Sequence, residues 1–193
     1  MRKTRILGVI AAAAVLVPLG ACSDKQAETP AATHTAAQPA NQTLAAAIGG
    51  APGLTTVSTA LSEAGLGDMF DGPGSYTVLA PDDDAFAKLG DQGKSLTDPS
   101  HRAELVALLR GHILPGHLTP DAIRKAIDEK KGPVTMRTLG NGTVTFSAEG
   151  DAITASGADG TRARIDGAPL VASNGVVLPL DGVVKSLSSA TES

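Results

Sequence analysis

The spacing of apolar residues changes once along this 193-residue chain, and that change limits what it can fold into. Before Gly132 they recur at three- and four-residue intervals: Val57, Leu61 and Ala64, then Leu105, Leu108, Leu109 and His112 or Ile113, then Ile123 and Ile127. That spacing lines up one side of an α-helix. After Gly132 they alternate. Val134, Met136 and Thr138 lie before Gly140-Asn141-Gly142, and Val144, Phe146 and Ala148 follow it, which is the pattern of two strands joined by a hairpin turn. Further strands are expected at Ala152–Ala155, Arg162–Ile165 and Gly175–Val184. Helices mostly first and strands mostly later imply an α+β domain, with a helical layer covering part of a largely antiparallel sheet.

Capping chemistry sharpens the helices. Thr55–Leu66 is expected to stop at Gly67. The turn residues Asp71-Gly72-Pro73-Gly74 lead into a β-rich run, Tyr76–Ala80, closed by Pro81. Asp82, Asp83 and Asp84 precede Ala85, Phe86 and Leu89, so one aspartate can cap a helix while its neighbours complement the positive end of the macrodipole. Asp98-Pro99 starts the helix through Leu105, and Leu114-Pro115-Gly116 breaks it; Thr119-Pro120-Asp121 starts the next, with Gly132 as its stop.

The N-terminus has a different physics. Arg2, Lys3 and Arg5 precede an apolar run, Ile6–Val17, too short for a comfortable membrane span, and small residues stand just before Cys22. This is the layout of a secretory leader, residues 1–21. Leu19-Gly20-Ala21-Cys22 resembles the bacterial lipoprotein box, which implies a diacylglycerol on the Cys22 thiol, cleavage before it, and an acyl group on the new amine. Two or three buried chains anchor stably where one does not. Ser23 offers no aspartate retention signal, so an organism with an outer membrane would be expected to send the protein there. Cleavage removes three basic residues and leaves 13 Lys+Arg against 20 Asp+Glu, so attachment should rest on lipid rather than on a basic patch. Residues 22–43 are rich in Ala, Thr, Pro and Gln; they cannot bury a core, and they read as a tether of about 25 Å average reach that includes a solvated His34. Residues 44–187 are expected to form one monomeric domain, and residues 188–193 a tail.

Tyr76-Thr77-Val78-Leu79-Ala80-Pro81-Asp82-Asp83-Asp84-Ala85-Phe86 resembles the first signature of the fasciclin domain. Leu108-Leu109 with His112 and Gly116 is similar to its central leucine-histidine segment, and Ala172-Ser173-Asn174-Gly175-Val176-Val177 with Leu180-Asp181 to its closing one. The resemblance spans about Leu54 to Leu187. It implies a wedge-shaped β-sandwich with a helical layer, and a role in adhesion or in extracytoplasmic interactions. The motif positions Thr77, Val78, Ala80, Pro81, Asp82, Phe86, His112, Asn174 and Gly175 are expected to be mainly structural. Val78 and Phe86 would pack a strand-to-helix corner, and Gly175 would supply a turn conformation closed to other residues. His112 is either a core histidine with both ring nitrogens satisfied or the polar group of a ligand site. Gly111 stands where adhesive animal domains often carry a tyrosine, and no Arg-Gly-Asp occurs, so integrin recognition does not carry over.

Other chemistry finds little support. Three Phe, one Tyr and no Trp offer no stacking platform, and a formal charge of −4 disfavours nucleic acid. A calcium loop starting at Asp82 would place Ala87 where glycine is needed and Gly93 where the bidentate glutamate belongs. His112 and His117 flank Pro115-Gly116 at a spacing unsuited to zinc. There is no Gly-x-Ser-x-Gly elbow and no phosphate-binding glycine loop, and Gly65-Leu66-Gly67 lacks the third glycine of a dinucleotide fingerprint. Asn41-Gln42-Thr43 and Asn141-Gly142-Thr143 match the glycosylation acceptor but read more simply as tether and hairpin turn. No cofactor, metal or catalytic residue is expected. The favoured reading is a non-catalytic module binding envelope or extracellular protein or carbohydrate. A small-ligand carrier or enzyme with a pocket near His112 or His117 is the alternative.

Overall fold

The computed structural model describes residues 41–96 and 98–184. The leader, Cys22, His34, most of the tether and the 188–193 tail lie outside the described residues. In chain order the elements are α1 (Leu44–Gly49), α2 (Thr55–Glu63), α3 (Gly67–Asp71), β1 (Tyr76–Pro81), α4 (Asp83–Ala87) and α5 (Asp91–Leu96). A 3-10 turn (Pro99–His101) then leads into α6 (Arg102–Gly111), β2 (Ile113–Pro115) and α7 (Pro120–Lys130). The strands β3 (Val134–Arg137), β4 (Thr143–Glu149), β5 (Ala152–Gly157), β6 (Arg162–Arg164), β7 (Leu170–Ala172) and β8 (Gly175–Leu180) complete the fold.

The strands form two four-stranded sheets, as the β-sandwich implied by the resemblance requires, rather than the single sheet that periodicity alone suggests. The first is ordered β2-β1-β8-β7, the second β3-β4-β5-β6. All of their pairings are antiparallel except β1 with β8, where Val78 faces Val177 and Leu79 faces Leu178. A parallel pair needs a long crossover, and here nearly the whole domain is the crossover. Alternate side chains of the first sheet enter two cores. Val78, Ala80, Ile113 and Val177 pack with α1, α2, α3 and α6. Leu79, Leu114, Val176 and Leu178 meet α7 and the inner side of the second sheet at Val144, Phe146, Ile153 and Ala155. With both faces covered, β1 and β8 are nearly continuous runs of buried residues, whereas β4 alternates over most of its length. Full burial of a side chain such as Phe146 is worth about 1.5–3 kcal/mol over leaving it exposed.

Several local expectations shift. The left-handed residue ending α2 is Gly65 (φ 70), not Gly67, which begins α3. The one ending α7 is Lys131 (φ 55), one position before Gly132. Helix α6 stops at Gly111, because Ile113 and Leu114 are taken up by pairing with Val78 and Thr77. Gln42 and Thr43, expected at the end of the tether, are bonded to the domain. Thr43 caps α1 through Ala46 N–H (3.3 Å) and donates to Asp71, and the Gln42 carbonyl accepts from Ser173 N–H (2.9 Å).

Candidate functional site

The first-signature residues meet where β1 turns into α4. Thr77 is completely buried; its hydroxyl donates to the Gly116 carbonyl (2.8 Å) and accepts from Leu118 N–H (2.9 Å), clamping the loop between β2 and α7. Val78 and Ala80 point into the helical core, and Pro81 closes the strand opposite Leu180. Asp82 caps α4 by accepting from Ala85 N–H (2.6 Å), with Phe86 buried behind it. Asp83 acts on a different helix. Its carboxylate accepts from Thr56 N–H (2.7 Å) and Thr55 N–H (3.4 Å), supplying the N-terminal cap that Leu54 cannot give α2. Burial opposes the charge on Asp83, but the hydrogen bonds from Thr56 and Thr55 outweigh it and hold the carboxyl below the usual carboxylate range.

Asn174 joins three segments. Its Oδ1 accepts from Leu44 N–H (2.8 Å) at the start of α1, and its Nδ2 donates to the carbonyls of Phe70 (2.6 Å) and Gly72 (3.0 Å). Gly175 is required for a reason other than the expected one. Its backbone is not left-handed; a Cβ there would lie 2.0 Å from the Tyr76 carbonyl oxygen and 2.5 Å from Leu44 Cδ1. Asn174 stands in the turn between β7 and β8 as expected, while Gly175 serves close approach of β8 to β1 and α1 rather than a left-handed turn conformation.

His112 is the C-cap of α6, at 2% exposure. Nδ1 lies 2.9 Å from the Leu108 carbonyl and Nε2 3.2 Å from the Val184 nitrogen. Since a carbonyl only accepts and an amide N–H only donates, the ring is the neutral Nδ1–H tautomer, tying α6 to the segment after β8. His117 is exposed on the β2–α7 loop, so the two histidines lie in different environments and do not form one site. A cavity of about 340 Å³ opens beside α6 and the β3–β4 hairpin, walled by Gly111, Thr138, Asn141, Thr143, Asp159 and Val184. Neither histidine lines it. Among the described residues no cluster of three His, Cys, Asp or Glu is placed to hold a metal ion, and no helix is long and apolar enough to cross a membrane.

What the sequence reading missed is a surface. The side of the second sheet away from its core carries Thr, Ser and Arg, with Arg137 on β3 and Arg162 and Arg164 on β6. The signal was present as strict alternation in each strand, but only the pairing register assembles it.

The Fasciclin domain family model matches residues 52–186. Protein sll1483 of Synechocystis sp. is 30% identical over 162 residues, covering 81% of each chain. The transforming growth factor-beta-induced protein ig-h3 of Sus scrofa is 29% identical over 138 residues, which are 70% of this chain and 18% of that much longer one. In structure, the chain is similar to the FAS1 domain pair of the insect cell adhesion molecule Fasciclin I, with a TM-score of 0.66 at 13% identity over 75% of this chain and 51% of that one.

Proposed function

The chain belongs to the fasciclin domain family, and on that basis we propose that it is a non-catalytic adhesion module, held at a bacterial cell envelope by acylated Cys22. The observation that carries this reading is the fate of the signature residues. Thr77, His112 and Asn174 spend their polar atoms on backbone groups inside the fold, so the polar residues that mark the family serve as struts. Binding capacity then falls to the exposed surface, as adhesion by surface complementarity requires. Fasciclin I, whose domain pair shares this fold, is a cell adhesion molecule, which supports the same class of role. In this reading residues 1–21 are removed, the following residues up to about Asn41 are the tether, and the domain faces an envelope or extracellular protein or carbohydrate, on the outer membrane where one exists.

The test is fractionation of cells producing the wild-type chain and its Cys22→Ala variant. Wild type should sediment with membranes at high salt, and the variant should be released; a variant that stays bound counts against the anchor. Pull-down from envelope extracts then reads adhesion, and turnover of a substrate by the purified protein would overturn the non-catalytic assignment. A carrier role is favoured by one observation, the cavity of about 340 Å³, which is at the small end of the range for ligand pockets.

A further inference from the structure

The second sheet leaves one side free of its core, and the register shows what stands there. Thr135, Thr145, Ser156 and Arg162 share a row across all four strands. Ser147, Thr154 and Arg164 form the next row, and Arg137 beside Thr143 flanks the first on its other side. The three arginines are exposed, the hydroxyl residues Thr145, Ser147 and Ser156 half-buried, and Thr154 buried among them. Thr135 and Thr145 join their hydroxyls at 2.9 Å. The face is therefore a hydroxyl-covered plane with guanidinium groups at both edges. Strands lie about 4.8 Å apart and successive same-face residues about 7 Å, so Arg137 on β3 is roughly 16 Å from Arg162 and roughly 20 Å from Arg164, and the two on β6 are roughly 7 Å apart.

Its charge runs against that of the protein. The chain carries 20 acidic and 16 basic residues, yet among the described outward positions of this sheet Glu149, at the far end of β4, is the one carboxylate. Asp181 reaches the edge of β6 through the Arg164 backbone N–H (2.7 Å), not through its guanidinium. The ion pairs among the described residues, Lys94 with Asp91 and Lys125 with Glu129, lie elsewhere. Three arginines thus face solvent with their forks unspent on carboxylates among the described residues.

We propose that this face binds a carboxylated polysaccharide, a chain of uronic acid type; the proposal rests on the adhesion reading above and names its surface and ligand class. Guanidinium forks match carboxylates in bidentate geometry, and the hydroxyl rows exchange hydrogen bonds with sugar hydroxyls. The face has no aromatic side chain, since Phe146 points into the core, so stacking on neutral sugars or bases is missing. Three cations spread over such distances suit sparse carboxylates. Duplex DNA, with a charge about every 1.7 Å, would be repelled by the acidic body before it satisfied them.

The experiment measures binding of the purified full chain to polygalacturonate. Dextran, duplex DNA, and phosphatidylglycerol against phosphatidylcholine vesicles are the comparison probes. Polygalacturonate should bind in a salt-sensitive way and dextran should not. Arg137→Gln/Arg162→Gln/Arg164→Gln should weaken binding at least tenfold with an unchanged melting temperature, while Arg110→Gln on α6 should bind like wild type. If the triple variant melts early, Ser156→Glu, which puts a carboxylate in the middle of the face, should give the same loss. Undiminished binding by the triple variant or by Ser156→Glu, no binding to polygalacturonate, or a preference for DNA or phosphatidylglycerol overturns the proposal. With membrane anchoring and envelope capture intact, such a failure removes this surface alone; release of the wild-type chain from membranes or substrate turnover would remove the adhesion reading itself.

Discussion

The two sheets solve opposite problems. The first is covered on both sides, by helices on one and by α7 and the second sheet on the other, and it holds or borders the residues that mark the family. The second buries one side and shows the other to water. A strand buried on both faces has little freedom: each side chain is fixed by a neighbour above and below, and even a methyl group is felt. A strand buried on one face leaves half its positions open to change at small cost to stability. In this molecule the signature residues stand in the doubly covered part of the fold, and the proposed recognition falls to positions that no signature marks.

The largest test of that contrast is Gly175→Ala. Its Cβ would have to displace the Tyr76 carbonyl oxygen or Leu44, both at the seam between β1, β8 and α1. The expected loss is about 3 kcal/mol, read as a fall in melting temperature of roughly 10 °C. Thr145→Ala on the outer face of the second sheet should stay within about 0.5 kcal/mol of wild type in chemical denaturation. Equal losses from the two would break the comparison.

Next in size is Asn174→Ala, which strips the Leu44 N–H and the Phe70 and Gly72 carbonyls of their partner. Leaving part-buried groups unpaired should cost about 2 kcal/mol in urea denaturation. Asn174→Asp sharpens the result. It keeps the acceptor for Leu44 but sets an anion against two carbonyl oxygens, so it should not restore wild-type stability; if it does, the Nδ2 bonds carry no weight.

These residues also mark how far the sequence could be read. Alternation around Gly140-Asn141-Gly142 pointed to the β3–β4 hairpin, and Thr119 and an aspartate among Asp82–Asp84 declared themselves as helix caps, because in each the cause lies within a few residues of the effect. The parallel seam of β1 and β8, the division into two sheets and the clamp from Thr77 to Gly116 and Leu118 depend on residues far apart in the chain. Periodicity has no access to those. The turn at Asn174 before β8 was legible, but the reason for glycine at 175 was not, since a close approach leaves no local trace. The short helices α1, α3 and α5 were hidden because five or six residues show no resolvable period.

The helices packed on the two sheets differ in how they stop. On the first sheet α2 ends through Gly65, with Leu66 N–H bonded to the Leu61 carbonyl (2.9 Å). Beneath the second, α7 uses the same closure with Lys131 in the left-handed position, where Gly132 N–H meets the Ile127 carbonyl at 3.1 Å. A side chain there costs about 1 kcal/mol relative to glycine. Lys131→Gly should raise stability by about that amount, seen as a later urea midpoint with an unchanged slope, whereas Gly65→Ala should lower it.

The smallest effect isolates the cap from β1's corner to α2. Because hydrogen bonds from Thr56 and Thr55 hold the Asp83 carboxyl below its ordinary value, the folded chain keeps it charged at a pH where the unfolded chain has begun to take up a proton. Its contribution is fully present above the unfolded value of about 3.9 and drains away as pH falls through the folded one. Asp83→Asn retains an oxygen acceptor but loses the charge. Between pH 5.5 and pH 3 wild type should lose a few tenths of a kcal/mol more stability than the variant, a modest figure because Asp83 is partly open to screening solvent. Parallel loss in both proteins would mean that the carboxylate adds nothing beyond its oxygen. The link between the helical layer and the first sheet would then rest on apolar packing.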